Sequence, residues 1–491
     1  MDIVAAMDDP KLFGPWFEGS SWNGWRAVLK AAFALRMTDE EVAFFKSVAG
    51  GREPPKKRVK EAWFVVGRRG GKDSVASVIT AYAAALFDQG TVKLRPGERA
   101  VCMCLAADKD QSRIVLGYTR SYFSDVPLMA GMVTRETVNG FELSSGVDIT
   151  IATNNFRSVR GRTVLCAVLD ECAFYRDENS ASPDVETYRA IMPGMTTLPN
   201  ALLIGISTPY RKAGLLYNKW RENFGKDSDD VLIIQASTAT MNPAIDKTII
   251  AAAYEDDPAA AGAEFGAQFR SDIESFLPLE TVEACVERGV TVRPPKAGID
   301  YFGAADSASG TGKDSFAIGV AHREGDEIVL DVAHEIRPPF NPQSAIAEAA
   351  ELFKQYGIGR VTGDKYAAGF VVEGFGRNGI TYQYSPRDRS QIYLEALPSL
   401  TCGRARLLDN KKMVAQFAQL ERRTSSSGKD RVDHPDNQHD DLANAVACAL
   451  VEAAPKPYEV PLALPIFVSI ASPEARDPTL APGPEYGRSW P

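Results

Sequence analysis

The chain has 491 residues, of which 45% are hydrophobic and 24% charged; this excludes a disordered chain and is too long for one ordinary hydrophobic core. A net charge of −9 argues against a uniformly basic nucleic-acid binder and leaves only a local basic groove for that role. No apolar run reaches the roughly 18 residues of a membrane span, and MDIVAAMDDPKLFGPW has no basic region before an apolar stretch, so a cytoplasmic protein is expected.

The first 55 residues read as a helical lid region. Trp22, Trp25 and Leu29 fall at helical spacing, and Thr38 with Glu41 forms a capping signature before a second helix. Gly50-Gly51 and Pro54-Pro55 end this region, and the basic cluster Lys56-Lys57-Arg58 follows. Over 56–250 apolar strands alternate with helices: AWFVV, then SVASVITAYAAALF, RAVCMCLAA, QSRIVLGYTRSYF, VLCAVLD and ALLIGIS. That alternation predicts an α/β domain with a parallel sheet covered by helices. The segment from about Asn242 to Leu279 is helical and charged in pattern and is expected to connect the halves, with 251–295 as the linker of connecting helices.

A second pattern occupies 296–455. YFGAADSA is a strand, SFAIGVAH and EIVLDVAHEI form a hairpin, SAIAEAAELFKQY is a helix and RVTGD a strand. Helical segments around Gln391–Leu397 and Met413–Arg422 precede a last helix at Asp440–Glu452. The tail, 456–491, is rich in proline and expected to be poorly ordered on its own. The seven cysteines include no CxxC pair, and the four histidines (His322, His334, His434, His439) lie in the second half. A zinc site or disulfide frame is not expected; Cys102, Cys104, Cys166 and Cys172 read as buried thiols.

Two constellations carry chemistry. The first is VVGRRGGKDS, between a strand and a helix. Gly67, Gly70 and Gly71 allow the backbone to wrap phosphates, with Arg68 and Arg69 in the same loop. Lys72 supplies a point charge and the following helix its N-terminus, as in a P-loop. Asp73 stands where a magnesium-binding hydroxyl belongs, with Ser74 next; either is a candidate support for Mg²⁺. VLCAVLDE ends in Asp170 and Glu171, the carboxylate pair an ATPase needs for Mg²⁺ and for the attacking water. ALLIGISTP ends in Ser207-Thr208, placed to sense a γ-phosphate or to cap a turn. Arg157, Arg160 and Arg162 in FRSVRGRT are candidates for stabilising transition-state charge.

The second constellation is Asp306 at a strand end, Asp364 at a later strand end, and Asp440-Asp441 opening a late helix. Strand acid, hairpin, helix, strand acid and late helix acid is the order an RNase H-like nuclease uses to hold two Mg²⁺ or Mn²⁺. Asp441 shares a helix face with Asn444 and is favoured as the main ligand, with Asp440 and His439 beside it. Lys56–Arg58, Arg387, Arg389, Arg404 and Arg406 are candidate phosphate contacts.

The order GRRGGKDS, FRSVRGRT, VLDECAFY, ISTP, AADSASG, TGD and HPDNQHDDLANA resembles the large subunit of terminases from tailed double-stranded DNA phages and prophages. The resemblance spans Trp22 to Ala453. It implies an N-terminal P-loop ATPase joined to a C-terminal RNase H/RuvC-like nuclease that packages and cuts concatemeric viral DNA. It implies that Lys72 binds the β- and γ-phosphates of ATP, Asp170 holds Mg²⁺, Glu171 activates water, and Ser207-Thr208 couple hydrolysis to movement. Arg68 resembles an arginine acting in cis and Arg160 one acting in trans in a ring, a pentamer by the family's habit. Trp22–Phe33 resembles the region near the adenine, and Asp306, Asp364 and Asp441 the nuclease acids. The implied partners are double-stranded DNA, a portal protein and a terminase small subunit, in the host cytoplasm. A helicase-nuclease, a portal-docking scaffold with degenerate sites and an integrase-like nuclease are the competing readings.

Overall fold

A computed structural model describes residues 1–85, 94–107, 109–153, 159–177, 180–364, 368–424, 430–435 and 438–455. The proline-rich tail and Arg157 lie outside the described residues.

The run Glu61–Val66 (β1) is buried at every position, as a strand covered on both faces requires. It belongs to an eight-stranded sheet with Ala100–Ala106 (β2), Val133–Thr137 (β3), Gly140–Leu143 (β4), Val147–Thr153 (β5), Thr163–Asp170 (β6), Leu202–Ser207 (β7) and Val231–Ala236 (β8). The order is β3-β4-β5-β2-β6-β7-β1-β8. From β5 to β8 every neighbouring pair is parallel, while β3 and β4 extend the edge antiparallel. Because β7 lies between β1 and β6, the C-terminal ends of these three strands open side by side. Ligands of α/β sheets bind at that edge. This is the sheet arrangement of a P-loop fold. The edge strands β3 to β5 had no counterpart among the expected elements.

The N-terminal helices Asn23–Ala32 and Asp39–Val48 pack beside this sheet. The second has the full capping box: Thr38 accepts from the Glu41 amide and the Glu41 carboxylate accepts from the Thr38 amide.

After helices Lys247–Asp256 and Pro258–Glu264 the connecting segment becomes a strand, Ile273–Ser275 (β9). The second sheet contains Val286–Glu287 (β10), Tyr301–Asp306 (β11), Phe316–Glu324 (β12), Glu327–Ile336 (β13), Arg360–Gly363 (β14), Thr381–Tyr384 (β15) and Ala405–Leu408 (β16). Its order is β10-β16-β13-β12-β11-β14-β15. The β13-β12-β11 ladder is antiparallel, and β14 and β15 continue parallel to β11. A last helix, Asp441–Ala453, lies across β11, β12 and β13 and is buried almost throughout. This is the RNase H-like arrangement. Its apolar side core includes Ile318, Val320, Ile346, Phe353 and Phe375.

A small sheet of β9, Glu421–Thr424 (β17) and Asp430–Asp433 (β18) stands between the two large ones. The helix expected at Met413–Arg422 ends at Gln419 instead. The chain turns extended at Leu420, and Glu421, Arg422 and Arg423 pair with Ser275, Glu274 and Ile273. A distant pairing partner therefore overrides a local helical pattern. Tyr210 Oη donates to Glu421 Oε2 at 2.8 Å, and Gln419 Nε2 donates to the carbonyls of Asp177 and Ser180 at 2.9 and 3.1 Å.

Six of the seven cysteines are buried free thiols and Cys402 is exposed. Among the described residues no helix is long and apolar enough to cross a membrane.

Gly319 of β12 sets how closely the last helix approaches the sheet. A Cβ there would lie 2.6 Å from the Ala445 carbonyl oxygen. Backbone cannot yield as a side-chain tip does, so Gly319→Ala is expected to lower stability by about 1–3 kcal/mol. Urea unfolding checks this; an unchanged midpoint would show that the helix is not seated so tightly.

Candidate functional site

The loop between β1 and the helix Lys72–Ala85 is shaped by its contacts. A Cβ on Gly67 would lie 2.4 Å from Thr238 Oγ1 and 2.6 Å from the Phe265 carbonyl, so only glycine fits. Gly71 has φ of +85°, a region open to glycine, and Arg69 also takes a positive φ of 65°.

Every carbonyl from Gly67 to Gly71 accepts a hydrogen bond. Gly67 O accepts from Gly70 N at 3.0 Å, Arg68 O from Thr238 Oγ1 at 2.8 Å, and Arg69 O from Asn242 Nδ2 at 3.0 Å. Gly70 O accepts from Trp25 Nε1 at 2.8 Å and Gly71 O from Val75 N at 3.1 Å. With its acceptors tied away, the loop meets an anion with N–H groups and the helix N-terminus at Lys72. Thr238, Asn242 and the Trp25 N–H went unrecognised in the sequence, because two distant segments, one at Trp25 and one at Thr238–Asn242, supply them to one loop.

Lys72, buried, and Glu171, half-buried, form an ion pair, Nζ to Oε1 2.8 Å. The other Glu171 oxygen lies 2.9 Å from Ser207 Oγ, 3.1 Å from Thr208 N and 3.3 Å from Thr208 Oγ1. Glu171 holds a left-handed backbone, φ 48°, which turns its carboxylate from the end of β6 toward β7. Asp170 is 2% exposed, and its Oδ1 has no hydrogen-bond partner among the described residues. Burial, then the charges of Asp73 and Glu171, push its carboxyl up to about 8. Burial also raises Asp73, with Glu171 adding and Lys72 opposing. At Lys72 burial acts downward, but Glu171 and Asp73 outweigh it and the ammonium is held above its usual range. Asp73, Asp170 and Glu171 thus face a single ammonium. That surplus of buried negative charge, with an unpartnered Asp170 oxygen, fits a hard divalent cation.

The arginines are placed differently. Arg68 is 64% exposed and pairs with Glu264 at 2.8 Å. Arg160 and Arg162 are exposed just before β6.

At the end of β11, Asp306 is 8% exposed and its Oδ2 accepts from Asn444 Nδ2 at 2.8 Å. β14 pairs in parallel beside it, Ala305 opposite Gly363, so Asp364 leaves the neighbouring strand end. Asp441, at the start of the last helix, accepts from the Ser315 amide at 2.7 Å. Burial raises Asp306 well above the usual carboxylate range, with Asp441, Asp364 and Asp440 adding and Asn444 opposing. Burial also lifts Asp441 to about 6, with Asp314 and Asp440 adding and Ser315 and His439 opposing. Asn444 Oδ1 is buried without a partner among the described residues. An all-oxygen cluster of raised carboxylates suits Mg²⁺ or Mn²⁺.

Asp440 faces elsewhere. It is 1% exposed, with Oδ2 accepting from Tyr393 Oη at 2.7 Å and Oδ1 from Arg389 Nη1 at 3.1 Å. Asp314, unmarked in the sequence, bonds His439 Nδ1 at 2.9 Å; one ligand atom each from Asp314, His439 and Asp441 lie within 4.8 Å of one another.

Several basic candidates are engaged internally. Arg58 is half-buried, stacks over Phe33 and donates to the Asn200 carbonyl. Arg387 pairs with Glu395 and Glu452, and Arg406 with Glu287 and Glu324.

No family model matches the chain, and no curated protein does. Among solved structures it is similar to the large terminase of bacteriophage HK97, with 15% identity and a TM-score of 0.37, covering 85% of this chain and 100% of that one. It is also similar to the large terminase of a thermophilic bacteriophage, with 10% identity and a TM-score of 0.37, covering 87% and 97%. The large terminase nuclease of a second thermophilic phage, G20c, matches 35% of this chain and 95% of its own, with 16% identity and a TM-score of 0.30.

The Trp25 N–H is the one donor from the N-terminal helices that reaches the loop among the described residues. Trp25→Phe keeps the aromatic packing and removes it. A buried hydrogen bond is worth about 1 kcal/mol, so nucleoside triphosphate affinity should fall roughly five-fold. Equilibrium titration with a non-hydrolysed analogue measures this; unchanged affinity would mean the loop holds its shape unaided.

Proposed function

We propose that the chain is the large subunit of a DNA-packaging terminase of tailed double-stranded DNA phages. In this reading an ATPase drives double-stranded DNA through a portal into a procapsid, and a joined metal-dependent endonuclease cuts the concatemer. The observation that carries the proposal is the Glu171 carboxylate, held by Lys72 on one side and Ser207-Thr208 on the other, in one chain with the Asp306–Asn444–Asp441 cluster.

At the first site Asp170, with Asp73 or Ser74, would hold Mg²⁺, which supplies charge neutralisation at the phosphate oxygens. When ATP enters, Lys72 exchanges Glu171 for the outer phosphates. Glu171 Oε1 is then released to orient and deprotonate the attacking water. Ser207 and Thr208 keep Oε2 in place, so β7 is in direct contact with the group that changes partner.

At the second site Asp306, Asp364 and Asp441 would hold two Mg²⁺ or Mn²⁺, which supply Lewis-acid stabilisation of an in-line phosphodiester displacement. Asn444 fixes the Asp306 carboxylate, and the Ser315 amide fixes that of Asp441. A ring of subunits on the portal, with Arg160 reaching a neighbour's nucleotide, and delivery of DNA by a small subunit complete the proposal.

One observation favours a second reading, a docking scaffold with a degenerate ATPase site: Asp73 adds a half-buried carboxylate where a hydroxyl would serve. Turnover separates the two. DNA-stimulated ATP hydrolysis is expected, lost in Lys72→Ala, lowered about 10²–10⁴-fold in Glu171→Gln, and retained in Asp73→Ala. Absence of hydrolysis by the purified wild-type chain would favour the scaffold. Plasmid cutting in Mn²⁺ is expected to vanish in Asp306→Ala; unchanged cutting would sink the nuclease assignment.

A further inference from the structure

Asp440 and Asp441 are adjacent at the start of one helix, yet their carboxylates have different surroundings. Asp441 accepts from the Ser315 amide near Asp306, while both Asp440 oxygens are taken up by Tyr393 and Arg389. The bland role for an acid at this position, capping the helix, does not account for Asp440: its backbone carbonyl accepts from the Asn444 amide, and its side chain turns to the helix Arg389–Thr401. A carboxylate only 1% exposed and already satisfied on both oxygens is poorly placed to give one up.

Arg389 is the exposed end of this unit. Its side chain is 38% exposed, and Nη1 lies 3.1 Å from Asp440 and 3.6 Å from Asp433. Among the described residues, its Nε and Nη2 donors have no hydrogen-bond partner. Arg389 lines a cleft together with Asp364, Asn444, Ser385 and Gln391. Asp364 and Asn444 belong to the nuclease cluster, so the cleft runs from the acids to the guanidinium. Its neighbour Arg387 is held through two nitrogens, Nε by Glu395 and Nη1 by Glu452, whereas both acids near Arg389 face Nη1 alone, which leaves Arg389 as the cleft arginine whose pairing is one-sided. A guanidinium fixed through one nitrogen presents its remaining donors in a set plane, the geometry that suits a phosphate diester.

We infer that Arg389 is a DNA phosphate-binding residue of the nuclease cleft, and that Asp440 with Tyr393 is the anchor that orients it rather than a metal ligand. This rests on the nuclease reading of the same cluster. The bound group is a backbone phosphate next to the one cleaved, and the contact carries no base preference.

The test uses the full chain and a short fluorescein-labelled duplex in Ca²⁺, a cation chosen to favour binding over cutting. Anisotropy is read across a salt series. Arg389→Ala strands a buried carboxylate, so the double variant Arg389→Gln with Asp440→Asn, in which an amide pair replaces the ion pair, is measured beside it. Loss of one phosphate contact should make the log–log salt slope shallower by about 0.9. Affinity should fall roughly ten-fold, with Arg389→Lys intermediate. A purely structural Arg389 would lower the melting temperature and leave the slope as in the wild type, and that result overturns the proposal. Mn²⁺ titration of Asp440→Asn by calorimetry addresses the anchor: wild-type metal affinity is expected, and a lost binding event would make Asp440 a ligand. The two readings fail separately. Cutting that persists in Asp306→Ala removes the nuclease, whereas an unchanged salt slope in the Arg389 variants removes only this contact.

Discussion

Carboxylates buried without enough positive charge are the condition both halves of the molecule sustain. Asp170 ends β6 and Asp306 ends β11, each in a central strand and almost fully covered. Taking such groups from water opposes folding unless something compensates. The compensation differs between the halves. In the first, Lys72 answers three acids, with Ser207 and Thr208 adding donors to Glu171. In the second the compensation is neutral, an amide from Asn444 and a backbone N–H from Ser315. Both clusters therefore lean toward a cation.

The architecture follows from where such acids can be held. A strand end in the middle of a sheet is flanked by two neighbours, and the parallel pairs β6–β7 and β11–β14 bring a second functional group to the same edge. Ser207 arrives beside Asp170 and Glu171 in this way, and Asp364 beside Asp306. Helices supply the third group: the helix begun by Lys72 and the one begun by Asp441. Gly319 marks how closely the second helix meets its sheet, since a Cβ there would displace the Ala445 carbonyl.

The legible part of this was the chemistry carried by short contiguous runs. GRRGGKDS and LDE contain Lys72, Asp170 and Glu171 within a few residues of a strand end, and an i, i+3 argument was enough to associate Asp441 with Asn444. What stayed hidden is assembled across the chain. The donors that shape the loop come from Trp25, Thr238 and Asn242. The direction of Asp440 depends on a helix that begins at Arg389, and Asp314 reaches His439 from the loop before β12. The β17 strand was hidden for the same reason: QFAQLERR has a helical pattern, and its strand state exists only because β9 pairs with it.

That β17 pairing also explains how one chain can carry both edges. Glu421, 0% exposed, accepts from Tyr210 and lies within 3.7 Å of Arg211 and 3.2 Å of Arg423. A single unpaired carboxylate at that depth costs about 3–5 kcal/mol when its partner is removed, so Tyr210 and the arginines hold this junction in one register. Tyr210 follows Thr208 by two residues, and Thr208 touches Glu171. The short segment Ser207–Arg211 therefore has its first end on the acid of one sheet and its second end on the strand pair that leads, through β18 and Asp433, to Arg389.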